Sequence, residues 1–132
     1  MTFEVGQSAQ VTKRFDQQAV GQFAELSEDF NPVHLDEEYA KNTQFGGTIV
    51  HGMLVSSLIS GLLGYKMPGQ GTIYLGQNLS FKRPVYVGDQ VTAIVTIAHI
   101  RDDKPIATVK TQVVDQHGKV CVDGEAVVLL PK

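Results

Sequence analysis

The second half of the chain alternates. Apolar and polar residues trade places at period two in four runs: Thr72 to Phe81, Gln90 to Ile100, Ile106 to Asp115 and Val120 to Leu129. Each run predicts a strand with one face toward a core. In the second run Val91, Ala93, Val95 and Ile97 share a face, with Thr92 and Thr96 opposite. Turn chemistry separates the runs: V-G-D at Val87 to Asp89, D-D-K-P at Asp102 to Pro105, and Q-H-G-K at Gln116 to Lys119. An earlier strand is predicted around Ser8 to Phe15.

The first half changes period. Asp16 is placed to cap a helix running to about Leu26, with Val20, Phe23, Ala24 and Leu26 as its apolar stripe. Ser27 and Asp29 close it, and Pro32 opposes helical continuation, so Asp29 to His34 is expected in a loop or tight turn. Asp36 predicts the cap of a short second helix, D-E-E-Y-A-K-N, whose acids suit the positive end of the helix dipole. Gly46 and Gly47 mark a turn. A long apolar helix follows from about Gly52 to Leu63, with Gly64 as terminator. Met53, Leu54, Val55, Leu58, Ile59, Leu62 and Leu63 surround its circumference, which predicts burial on all sides. At 1.5 Å per residue it spans roughly 18 Å.

Helices early and consecutive strands late indicate α+β rather than alternating α/β. The way to cover the sheet's apolar face is to wrap it around the buried helix. At 132 residues the chain is one domain's length, 1–132, and can build a proper core. Hydrophobic residues at 42% and charged residues at 19% are ordinary for a globular protein and argue against disorder. A net charge of -3 without a Lys/Arg run excludes nucleic acid as the main partner. The N-terminal M-T-F-E-V-G-Q lacks the basic and apolar parts of a signal peptide. The apolar run Met53 to Leu63 is interrupted by Ser56, Ser57, Ser60 and Gly61 and is too short for a bilayer. No membrane association is expected, and the chain reads as cytoplasmic. Cys121 is the only cysteine, so no intrachain disulfide can form, and its acidic neighbourhood fits a buried residue rather than a reactive thiol.

The candidate chemistry sits in D-F-N-P-V-H, Asp29 to His34, and in I-V-H-G-M-L, Ile49 to Leu54. A carboxylate beside a Pro-containing turn is most often a turn or capping residue. Glu28 is an equal candidate acid on composition. Among the histidines, His99 on a strand and His117 in a turn read as structural or solvated. The combination changes the balance. Asn31 and Pro32 constrain the link between Asp29 and His34, and can hold both side chains on one side of a turn. His51 and Gly52 put an imidazole and a residue without Cβ at a helix N-terminus, where unpaired N–H groups carry about half a positive charge. Glycine there lets a ligand oxygen approach the backbone. No metal-ligand spacing, phosphate loop or G-x-S-x-G occurs, so no metal site is expected. Ser56, Ser57 and Ser60 are expected to bond back to helix carbonyls.

S-E-D-F-N-P-V-H-L-D, Ser27 to Asp36, resembles the hydratase motif of MaoC-like proteins, specifically the monofunctional (R)-specific enoyl-CoA hydratases. The resemblance continues through Ile49 to Gly64, Ile73 to Asp89, Arg101 to Thr108 and Gly124 to Val128, and so covers the chain from about Val5 onward. It implies a hot-dog fold, an antiparallel sheet wrapped around a long central helix, and a homodimer with acyl tunnels near the protomer interface. Asp29 and His34 match the family's catalytic acid–imidazole pair. Gly52 matches the residue whose amide polarises the thioester carbonyl, and Asn31 belongs to the same motif. Ser60, Leu63 and Val128 match positions associated with the active site and acyl pocket.

The implied activity is that of a hydro-lyase: reversible hydration of trans-2-enoyl-CoA to (R)-3-hydroxyacyl-CoA, with acyl-CoA as substrate and no further cofactor. Short to medium acyl chains are expected, because Leu63 and Val128 are medium-sized. Polyhydroxyalkanoate precursor supply and fatty-acid breakdown both fit this chemistry. The hot-dog fold also hosts thioesterases, so an acyl-CoA thioesterase is one rival. A non-catalytic acyl-CoA-binding subunit is another, although it would need no Asp/His pair.

Overall fold

The computed structural model describes residues 2–132. Its strands are β1 (Ser8–Arg14), β2 (Ile73–Gln77), β3 (Ser80–Phe81), β4 (Gln90–Ile100), β5 (Ile106–Asp115) and β6 (Val120–Leu129). Its α-helices are α1 (Gln17–Ser27), α2 (Pro32–Leu35), α3 (Glu37–Lys41) and α4 (Gly52–Gly61), the last running into a π-helical turn at Leu62–Lys66. The strands form one antiparallel sheet in the order β1-β4-β5-β6-β2, with β3 also paired to β6. The architecture is the α+β hot dog implied by the sequence: a sheet curved around a central helix.

Alternation drives the closure. Val91, Ala93, Val95 and Ile97 of β4 are all buried, as are Ala107, Val109 and Val113 of β5. They pack with Val55, Ile59, Leu62 and Leu63 from the helical run in one core. Each fully buried Val, Leu or Ile contributes about 1.5–3 kcal/mol relative to exposure. Thr111 is the polar exception on β5's core face, and Gln77 Nε2 donates to its Oγ1 at 2.9 Å. The bounds of β4, β5 and β6 are those the alternation predicts.

Elsewhere the structure differs from the pattern. The run Thr72 to Phe81 is not one strand. A register shift between Tyr74 and Gly76 bends β2, and β3 resumes only at Ser80. Between them Asn78 leans on β6: its N–H donates to Glu125 O at 3.0 Å, and its Oδ1 accepts from Glu125 N at 3.1 Å. Gly64 does not end the central helix, which continues through it as π turns to Lys66. Nor is that helix buried all round. Met53 is 59% exposed, and Ser57 and Ser60 lie on the same open side. Leu26 is 86% exposed rather than part of the α1 stripe, which is formed by Val20, Phe23 and Ala24. Finally, Pro32 starts a helix instead of preventing one. It occupies the first turn of α2, where its missing N–H costs nothing.

Candidate active site

Asp29 is held by a chain of local bonds. Asp16 caps α1 by accepting from Ala19 N at 2.8 Å, which sets the helix start. At the other end Glu28 turns the chain in a left-handed conformation, φ 63°. Ser27 Oγ donates to Phe23 O at 2.7 Å and accepts the Asp29 N–H at 3.2 Å. Asp29 Oδ1 then accepts the Asn31 N–H at 3.2 Å, and Asn31 Oδ1 accepts the Val33 N–H at 3.3 Å. Asn31 is thus the cap that starts α2 and aims His34. Glu28, the rival acid, is exposed and does not line the pocket described below.

His34 is buried, and Gln17 Nε2 donates to its carbonyl at 3.0 Å. Its Nδ1 lies 2.7 Å from Ile49 O. A carbonyl can only accept, so Nδ1 carries a proton, and in the neutral form of the ring Nε2 presents a lone pair. That Nε2 is 4.0 Å from Asp29 Oδ2. The separation is too long for a direct hydrogen bond, but it lets both atoms bind one small polar molecule at roughly 2.8 Å each.

His51 completes the cluster. Its ring stacks on His34 with centroids 3.8 Å apart and meets Phe23 edge-on at 4.8 Å. Its Nε2–H donates to the Asp29 carbonyl at 3.0 Å. Burial holds the imidazole's pKa below its usual value, opposed by the bond to the Asp29 carbonyl and by the Asp29 carboxylate and reinforced by the neighbouring His34 ring when that ring is protonated. His51 is therefore neutral near pH 7.

Gly52 is the first residue of α4, so its amide has no intrahelical acceptor. A Cβ at Gly52 would lie 2.7 Å from the Phe81 ring. Glycine is required here for packing as well as for any approach by a ligand.

Asp29, His34, His51 and Gly52 line one pocket of about 540 Å³, walled by Phe23, Met53 and Phe81. Lys82 and Arg83 also line it, and neither has a carboxylate within ion-pair distance among the described residues. A second pocket of about 550 Å³ shares Phe23 and Met53 with the first and is lined by Ser56, Ser60, Tyr74 and Leu75. Of the expected site residues, Asp29, His34 and Gly52 therefore come together, Asn31 supports them, and Ser60 faces the second pocket. Leu63 and Val128 belong to the core, 2% and 0% exposed, and line neither pocket. Ser56 Oγ bonds back to Gly52 O at 2.8 Å, as expected of a helix serine. Cys121 is buried in β6, and burial pushes its thiol pKa up.

Asp29, His34 and His51 offer donor atoms that all lie within 4.8 Å of one another, a clustering no spacing in the sequence announced. They are poorly arranged for a metal. Ligand lone pairs lie in the plane of an imidazole, and these stacked rings, 26° apart, direct theirs side by side rather than at one point. The arrangement suits proton handling: two acceptors, Asp29 Oδ2 and His34 Nε2, beside an amide donor at a helix start.

His51 joins the site although no motif in the sequence assigns it there; its place immediately before Gly52 is the signal the sequence carries. The roles of Phe81, Lys82 and Arg83 depend on β3 folding back over α4, and no local pattern carries that.

Residues 2–118 match the family described as MaoC-like domain. An (R)-specific enoyl-CoA hydratase from Aeromonas caviae is 58% identical over 130 residues, covering 98% of this chain and 97% of that protein. A second (R)-specific enoyl-CoA hydratase, from Rhodospirillum rubrum, is 44% identical over 126 residues, 96% of this chain and 87% of that one. The solved structure of an (R)-hydratase from A. caviae, described as involved in PHA biosynthesis, superposes with a TM-score of 0.97 over 98% of both chains, at 58% identity.

Proposed function

The chain belongs to the MaoC-like domain family, and on that premise we propose that it is an (R)-specific enoyl-CoA hydratase. It is a hydro-lyase that reversibly adds water to trans-2-enoyl-CoA to give (R)-3-hydroxyacyl-CoA. The observation that carries this is the 4.0 Å gap between Asp29 Oδ2 and His34 Nε2 in the pocket that also holds Gly52.

The mechanism follows from what each atom can do. A carboxylate oxygen of Asp29 and an unprotonated Nε2 of His34 both accept hydrogen bonds, so a water between them donates one hydrogen to each. Its oxygen lone pair then faces the pocket. Attack forms the O–C3 bond, and the C2=C3 π electrons move toward the thioester oxygen. The Gly52 amide at the positive start of α4 stabilises that enolate-like oxygen. Asp29 takes the proton from the water and returns it to C2, so oxygen and hydrogen add to the same face. His34, fixed in its Nδ1–H form by Ile49 O, holds the water through Nε2. These steps use proton transfer and one amide donor, and need no cofactor beyond the thioester substrate.

Lys82 and Arg83 give the pocket rim a cationic surface for the phosphates of CoA. The acyl chain passes Phe23 and Met53 toward the second pocket. Ser60 lines that pocket, and Val128 pairs across the sheet with its wall residue Tyr74. The medium-sized Leu63 and Val128 of the adjoining core accord with short to medium chains. The exposed side of α4 around Met53 suits a homodimer contact. No helix among the described residues is long and apolar enough to cross a membrane, and a cytoplasmic enzyme accords with acyl-CoA chemistry.

The test is to incubate the protein with a short trans-2-enoyl-CoA and analyse the product on a chiral phase. The (R)-3-hydroxyacyl-CoA is expected. An (S) product refutes the assignment, and release of free thiol from a saturated acyl-CoA makes the protein a thioesterase instead.

A further inference from the structure

His51 is a costly residue to bury. It is 2% exposed, and its Nδ1 has no hydrogen-bond partner. A buried polar atom left unpaired costs free energy that an apolar side chain would avoid. Capping does not explain it: His51 occupies the N-cap position of α4, but its side chain makes no cap hydrogen bond.

Its contacts do explain it. Nε2–H holds the Asp29 carbonyl at 3.0 Å, the ring face stacks on His34 at 3.8 Å, and the next peptide unit is the Gly52 amide. One side chain thereby touches the residue carrying the base and the imidazole that shares its water, and it is bonded directly to the oxyanion donor. Phe23 closes the remaining edge. The imidazole is the smallest side chain that supplies both properties. Phenylalanine offers a face without a donor, and glutamine offers a donor without a face.

We infer that His51 is a positioning residue for hydration, a buried imidazole that sets the register of Asp29 and His34 with the Gly52 amide through one donated hydrogen bond and one ring stack. The inference rests on the hydratase reading. It does not make His51 a proton carrier, since its Nε2–H points at a backbone carbonyl and its Nδ1 is buried.

The experiment compares wild type with His51→Phe and His51→Gln, using a short trans-2-enoyl-CoA and the folded fraction measured by circular dichroism. A small displacement of reacting groups costs about 10²-fold in rate. Each variant is therefore expected to lose roughly 10–10²-fold in kcat per folded enzyme while KM stays within about twofold, because the substrate's own contacts remain. A second readout is the nitrogen NMR of the His34 ring. Ile49 O keeps the Nδ1–H form in all three proteins, while loss of the stack or of the Asp29 contact should shift the Nε2 resonance in both variants.

Wild-type kcat per folded enzyme in both variants overturns the proposal. So does failure of both to fold, which would make His51 a purely structural residue. A wild-type protein that adds no water overturns the hydratase reading instead. The His34 spectrum still judges His51 in that case: an unchanged Nε2 resonance in both variants refutes the positioning role.

Discussion

The two pockets that meet at Phe23 and Met53 have nearly the same size, about 540 and 550 Å³, and both are lined mainly by apolar side chains. They differ in how their polar groups are held. Ser56 in the second pocket bonds back into its own helix. In the first, Asp29 is fixed through its amide, its carbonyl and one carboxylate oxygen, and His34 through Nδ1, so one oxygen and one nitrogen are left to face the same point. Volume and apolarity give a place to put an acyl chain. Chemistry needs polar atoms whose other valences are already satisfied by the fold.

The sharpest way to break this contrast is Asp29→Asn. The amide oxygen can still accept from Asn31 N, so the fold and thermal stability should hold while hydration falls about 10²–10⁴-fold. Steady-state rates and a melting curve check both halves, and full activity would remove Asp29 from the mechanism.

Gly52→Ala keeps the amide N–H but obstructs a ligand oxygen's approach to it, and should cost up to about 10²–10³-fold in kcat, as loss of an oxyanion donor does. The added methyl also meets the Phe81 ring, 2.7 Å away. Adding Phe81→Ala relieves that clash. The double variant is expected to recover stability but not rate. Recovery of both would mean that glycine is needed only for packing.

Leu63→Ala probes the other pocket. Truncating a core leucine should lower stability by about 2–5 kcal/mol, seen in urea unfolding. If Leu63 bounds the acyl site, the preferred acyl chain should lengthen while the rate on short substrates stays close to wild type. An unchanged chain-length profile would detach Leu63 from the acyl site.

The smallest effect is on acid stability. The His51 pKa in the folded protein lies below its usual 6.5. As pH falls through that value the unfolded chain gains a proton that the native state refuses, so stability drops, and the loss levels off once native His51 is protonated too. Urea midpoints at about pH 7.5 and about pH 5.5 should therefore differ less in His51→Phe than in wild type.

What could be read in the sequence follows the range of the interaction responsible. Strands β4, β5 and β6 were legible because alternation and turn residues are local, and the Asp16 and Asp36 caps act within three residues. The pairing of Asp29 with His34 was legible because they are five residues apart in a constrained segment. The errors arise where a distant element decides. An apolar circumference on α4 implied burial on every side, but no element of the described protomer covers Met53. The break between β2 and β3 is imposed by Glu125, almost fifty residues further along by sequence. The stack of His51 on His34 depends on α2 and α4 meeting, and neither helix encodes its partner.

Gly124 has a consequence well beyond its own strand. A Cβ there would lie 2.0 Å from the Asn78 carbonyl oxygen, a contact that backbone atoms cannot relieve by rotating a side chain. Any replacement must push Asn78 away, and Asn78 is the pivot from which β3 departs to lay Phe81 over Gly52. A saturation library scored for activity should therefore find position 124 as intolerant as the acid and imidazole themselves, although it contributes no atom to the reaction. Its variants would be lost through a displaced hinge, and a compensating change would be sought at Asn78 or Phe81 rather than in the pocket's polar corner.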